Sequence, residues 1–242
     1  MSKYSDYNII PIGDHCAISI ILKELNLRTK SYPFDWVTNQ DQLYNTNIIY
    51  NIELINELNE LNELNLEKLV KKYIGNAFDN NKKINTNNNI WFPHDFLDHS
   101  KNITDHSENI TDHSKNITDH SENITDHSEN ITNIFEKYKR RFTRLKQDLN
   151  KKNIFILLTR HYYIEKDKFQ QIMEQLLNYN NDSIIIFCSG TDHTYFDNSA
   201  NYNNVIFKYI KYDISQFYNY DYTSFRPNIK IFLSDLLLSS TK

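Results

Sequence analysis

The chain predicts an α/β fold, a single domain with a mainly parallel sheet flanked by helices. Three observations carry that expectation. Short unbroken apolar runs, "NIFILLT", "SIIIFC" and "NVIFKYI", read as strands buried on both faces. Segments with helical spacing alternate with them, as in Phe169, Ile172, Met173, Leu176 and Leu177. The length, 242 residues, suffices for one real core plus insertions. The expected layout is residues 1–97 as the N-terminal part of the domain, 98–132 as an insertion, and 133–242 as its C-terminal part.

The elements follow in order. "YNIIPIG" is a buried strand ended by Gly13, and "CAISIILKELNL" a helix entered after Asp14, a good N-cap type. "SYPFDWV" is an aromatic turn in which Pro33 pushes Tyr32 towards extended backbone. Residues 51–75 predict one helix stopped by Gly75. Inside it Asn-Glu-Leu occurs three times in tandem, and a period of three carries each Leu about 60° round the helix from the last. Such a stripe wanders and has the look of replication slippage.

Five tandem heptads then run from Asp98 to Thr132, of the form DHS(K/E)NIT. A coiled coil would need two apolar positions per repeat, and here there is one Ile among poor helix formers. A metal array would need closed ligand sets, and here there is one His per repeat (His99, His106, His113, His120 and His127). The Asn-Ile-Thr triplets would accept glycans only in a secretory lumen. The expected state is a low-complexity surface insertion. Order resumes with Ile134, Phe135, Tyr138, Phe142, Leu145 and Leu149 on one helix face, then strand 153–159, helix 166–178, strands 183–188 and 204–210, and a last helix over "NIKIFLSDLLLSS".

Composition narrows the function classes. Hydrophobic residues are 39% and aromatics 14%, with mean hydropathy −0.66, lean but short of disorder. The wealth of Asn, Ile, Lys and Tyr follows A/T-rich codons, as in a giant virus or an A/T-rich protist. Against that bias the few Gly, Pro, Trp and Cys residues carry extra weight, and the stretch from Ile9 to Val37 holds all four kinds. A net charge of −4 gives no global field for nucleic acid or anionic lipid. Two cysteines build no disulfide framework, the start "MSKYSDYN" lacks a signal core, and no apolar run reaches membrane-span length. A soluble cytoplasmic protein is expected (host cytoplasm or virion if viral), without cofactor, metal, nucleic-acid or membrane partner. The substrate and oligomeric state stay open.

In a parallel sheet, sites form where strands end at their carboxyl termini. Three such ends carry polar groups: Gly13-Asp14-His15-Cys16, Arg160-His161, and Ser189-Gly190-Thr191-Asp192-His193. Cys16 would lie in the first turn of a helix, where unpaired N–H groups favour a thiolate and supply an oxyanion hole. Gly13 would permit a sharp turn and close backbone approach. A thiol nucleophile needs a base and a group to orient that base. His94 is the first choice for the base, Asp95 and Asp35 for the orienter, and His15 and His193 are runners-up as solvated loop histidines. Gly13, Asp14 and Arg160 would contact substrate, Arg160 through an anionic group. Arg140, Arg141 and Arg144 read as a solvated helix face from which Arg141 can turn inward. The bland counterpart is a buried, inert Cys16 and a structural His94.

"PIGDHC…LKELNLRTKSYPFDWV", "FPHDF" and "YKRRFTRL", followed by a strand ending in Arg, together resemble a family labelled papain-like cysteine peptidases, found in bacteria and giant viruses. The resemblance covers roughly residues 7–37, 90–97 and 134–160. It implies Cys16 as nucleophile, His94 as base and Asp95 or Asp35 as orienter. Arg28, Ser31, Arg141 and Arg160 stand at matching positions without an implied role, and the heptads are an insertion in the pattern. Papain-like domains pack the cysteine helix on an antiparallel sheet that carries the histidine, whereas the strand pattern here predicts a parallel one. The functional expectation is a thiol-dependent hydrolase acting by acyl transfer. The alternative is a non-catalytic α/β module holding a nucleotide, sugar phosphate or other small anion.

Overall fold

A computed structural model describes residues 4–13, 16–35, 37–39, 46–61, 63–75, 84–85, 90–92, 127–160, 162–198, 204–211 and 225–239. Its main sheet is wholly parallel, with strands β1 (Asn8–Gly13), β5 (Asn153–Thr159), β6 (Ile184–Ser189) and β7 (Val205–Tyr209) lying side by side in that order. Every residue of β5 is buried, which accounts for a run with no polar alternation. Alternate β5 side chains feed two separate cores. Phe155 and Leu157 join Ile10 and Ile12 of β1 on one face, while Ile154, Ile156 and Leu158 meet Ala17, Ile18, Ile21 and Leu22 on the other.

Helices α1 (Ala17–Glu24) and α6 (Phe225–Leu238) cover that second face. The first face is covered by α2 (Thr46–Glu60), α3 (Glu63–Ile74), α4 (His127–Leu149) and α5 (Lys166–Leu177). The expected single helix over 51–75 is therefore two helices, broken around Leu61 inside the Asn-Glu-Leu repeat. A stripe that drifts with every repeat cannot stay on one core, so the chain breaks and re-aims. Gly75 ends α3 as expected, with a left-handed φ of 55°. Helix α4 starts at His127, so the last heptad is partly helical instead of lying wholly in a loop, and the heptads before it fall outside the described residues. Its stripe is as expected, with Ile134, Tyr138, Phe142, Leu145 and Leu149 buried. Three two-residue strands, β2 (Thr38–Asn39), β3 (Ile84–Asn85) and β4 (Ile90–Trp91), form a small antiparallel sheet in the order β2-β4-β3.

The aromatic turn is packed into this frame. Tyr32 and Phe34 are buried; Tyr32 donates its hydroxyl to Asp148, and Phe34 meets Tyr73 and Phe142 edge-on. Asp148 also receives Lys30 and Lys151, each at 2.8 Å. Burial pushes its carboxyl up, yet those three donors together hold it below the ordinary carboxylate range. The Asn153 amide donates to the carbonyls of Asp148, Leu149 and Lys151, closing α4 as β5 begins.

Gly13 has no left-handed backbone. Its smallness serves lateral packing instead, because a Cβ there would lie 3.1 Å from Leu158 Cβ and 3.3 Å from the Leu158 carbonyl oxygen. His193 is not a solvated loop residue either. It is 1% exposed, stacked on Tyr163 at 4.9 Å, and both ring nitrogens are engaged. Nε2 accepts the Ile164 N–H at 3.0 Å, which leaves Nδ1 to carry the proton and donate it to the Thr191 carbonyl at 2.8 Å.

Gly13→Ala is expected to cost about 1–3 kcal/mol by overpacking β1 against β5, read as a lower urea midpoint with unchanged slope. His193 is expected to make stability pH-dependent. Burial, the largest cause, holds its pKa below the ordinary 6.5, so between the two values the unfolded chain binds more protons. Its contribution is full above pH 6.5 and fades as pH falls through that window. A pH series of denaturant midpoints should flatten there in His193→Gln.

Candidate functional site

The end of β1, the start of α1 and the end of β5 share one edge of the sheet, since β1 and β5 run parallel with Gly13 opposite Leu158. Cys16 lies at that edge. It occupies the N-cap position of α1, with φ −69° and ψ −3°, rather than the first turn, and its carbonyl accepts the Ile20 N–H at 3.2 Å. Asp14, expected as the cap, lies outside the described residues, as do His15, His94, Asp95 and His161.

Two guanidinium charges act on the sulfur in the direction that favours its ionised form. Arg160 follows β5 directly and is 4% exposed; Arg226 stands in the first turn of α6. Arg226 and Lys230 both pair with Glu24 of α1, which fastens α6 beside the cysteine helix. Arg226 had no signal in the sequence: it lies 202 residues from Glu24, and only the packing of α6 on α1 brings it in.

Burial nevertheless decides the state of the thiol. Cys16 is 7% exposed, and desolvation lifts its pKa to about 11, more than its own backbone N–H, Arg160 and Arg226 lower it. The expected resting thiolate is thus replaced by a neutral thiol, because an eight-residue helix end does not offset the loss of water. Cys188 is more extreme. It is fully buried in β6, with its pKa pushed up to about 12 by desolvation, and forms no disulfide with Cys16.

Asp35 sits in a buried charge cluster. Its Oδ2 accepts Arg28 Nη2 at 2.6 Å, Arg28 Nε at 3.2 Å and the Tyr32 N–H at 3.1 Å. Burial still raises its pKa above the ordinary carboxylate range, against Arg28, the Tyr32 N–H and the nearby Arg141. Its Oδ1 and Arg141 Nη1 are both buried without a hydrogen-bond partner among the described residues. Arg141 is indeed turned inward, lying against the Tyr138 ring at 5.1 Å. Arg144 is not purely solvated, since it donates to the Ser31 carbonyl at 2.6 Å. Arg28 also reaches the Ser31 hydroxyl at 2.8 Å, so two of the four positions that matched the resemblance without an implied role are joined directly.

Beyond Arg160, the ends of β5 and β6 are tied by Thr159 Oγ1 and Ser189 Oγ at 3.0 Å, and Ser189 Oγ accepts the Thr191 N–H. Among the described residues no helix is long and apolar enough to cross a membrane. No curated protein and no solved structure matches the chain. One family of sequences does match over residues 7–189, a span that takes in β1, Cys16, the Arg28–Asp35 pair, the small sheet, β5 and β6. With more than half of its length inside that match, the chain belongs to the family described as "Putative papain-like cysteine peptidase".

Proposed function

We propose that the protein is a cysteine-dependent hydrolase working by acyl transfer, with Cys16 as nucleophile and His94 as its base. Family membership supports a cysteine hydrolase at the level of the family. What carries the residue-level reading is the setting of Cys16: a sulfur at a helix N-cap on the carboxyl edge of a parallel sheet, within the electrostatic influence of Arg160 and Arg226.

A thiol held near pKa 11 is a poor nucleophile at neutral pH, so activation falls to a base that takes the proton as the bond forms. His94 removes the proton from Cys16 Sγ while the sulfur attacks an acyl carbonyl carbon. The resulting oxyanion meets the first-turn N–H groups of α1. The imidazolium then protonates the leaving amine or alkoxide, and water hydrolyses the thioester by the reverse relay. Gly13 and Asp14 contact the substrate, and Arg160 holds an anionic part of it.

One observation favours Asp35 over Asp95 as the group that orients His94: Asp35 Oδ1 is buried without a hydrogen-bond partner among the described residues. The non-catalytic alternative, an anion-binding module, draws on the neutral buried thiol and the positive field of Arg160 and Arg226.

Iodoacetamide labelling across pH separates the two readings. With a coupled base, Cys16 is labelled in preference to Cys188, and its rate rises with an inflection well below pH 11. His94→Ala should move that inflection up towards the buried-thiol value, and Cys16→Ser should abolish hydrolysis of acyl substrates. A wild-type inflection that stays near 11 with no effect of His94→Ala would sink the catalytic reading.

A further inference from the structure

At the opposite edge of the sheet from Cys16 lies an open cavity of about 590 Å³ whose lining is dominated by cations. Helix α1 starts at the carboxyl edge and runs back, so Lys23 and Asn26 lie at the far end. Lys30 bonds Asn8, the first residue of β1, which confirms the location. Lys23, Arg28, Lys30 and Arg144 face the cavity together with the hydroxyl-bearing Thr29 and Ser31.

The charge there is only partly neutralised. Arg28 is matched by Asp35, and Lys30 shares Asp148 with Lys151. Lys23 and Arg144 have no carboxylate partner among the described residues, and no acidic side chain lines the cavity. The negative end of α1 is blunted. Asn26 turns left-handed at φ 56°, and the N–H groups of Leu27 and Arg28 both cover the Leu22 carbonyl. The Arg28 and Arg144 guanidinium groups are pre-positioned, one by Asp35 and Ser31, the other by the Ser31 carbonyl, so little side-chain freedom is lost when an anion arrives.

We infer that this cavity binds a phosphate group carried on a small soluble molecule. Fixed guanidinium forks, ammonium groups and hydroxyls match a tetrahedral dianion with several acceptor oxygens. The cavity exceeds one phosphate and falls within the range of small-molecule sites. Among the described residues its lining offers no aromatic ring as a stacking platform for a nucleobase, and a phosphorylated sugar or similar polar metabolite fits best. The site uses neither Cys16 nor His94, and it stands or falls apart from the proposed hydrolase.

Calorimetric titration of the full chain at constant ionic strength tests the inference. The probes are inorganic phosphate and glucose 6-phosphate, with glucose as control. Saturable binding of both phosphates and none of glucose is expected. Lys23→Glu and Thr29→Glu, both at exposed positions, should each weaken binding by roughly tenfold with an unchanged circular-dichroism spectrum. Vesicles of phosphatidylcholine with phosphatidylinositol 4-phosphate form a separate arm; pelleting with them, in place of binding to the soluble probes, would overturn the soluble source. Absence of binding to either phosphate, or binding indifferent to both substitutions, would overturn the site itself.

Discussion

The parallel ladder between β1 and β5 is the constraint on which the rest of this molecule depends. It pairs Asn8–Gly13 with residues 153–158, bridging well over a hundred residues of chain, and the intervening helices pack against what it creates. Closing so long a loop costs entropy, but the cost grows only slowly with length. That leaves room for the long stretch of chain holding the five heptads between β1 and β5. The ladder also decides which chemistry shares an edge. With both strands running the same way, Cys16 and Arg160 arrive together, and a cation-lined cavity forms at the other end.

The segment from Arg28 to Asp35, with Pro33 and the aromatics within it, turns out to hold the fold together as much as it hints at function. Tyr32 reaches Asp148 of α4, Phe34 enters the aromatic core, and the Pro33 carbonyl accepts the Tyr73 hydroxyl of α3. Asp35 is fully buried beside Arg28. Burying such a pair is no bargain against apolar packing, but losing one partner strands the other charge away from water. A charge network of this kind fixes one geometry for the loop, and with it the direction in which the chain enters the small antiparallel sheet ahead of Phe92-Pro93-His94.

The sulfur of Cys16 illustrates a competition that sequence patterns do not weigh. A helix start and two arginines pull its pKa down; removal from water pushes it up and wins. A buried neutral thiol of this kind reacts only once a base removes its proton.

Much of the architecture was legible from local pattern. Apolar runs free of alternation implied a parallel sheet because strands covered on both faces leave no solvent side to mark with polar residues. The α4 and α5 stripes were legible for the same geometric reason, at a period of 3.6. What the chain alone could not convey is distance through space. Arg226 acts electrostatically on Cys16 from the last helix, His193 is locked by Ile164 and Thr191 where a solvated loop was expected, and Gly13 is small because Leu158 lies beside it and not because a turn demands it. The state of the thiol likewise came only from tertiary burial. Residue type and spacing determine which groups can ionise or pack, whereas the water excluded around each of them depends on neighbours brought in from remote parts of the chain.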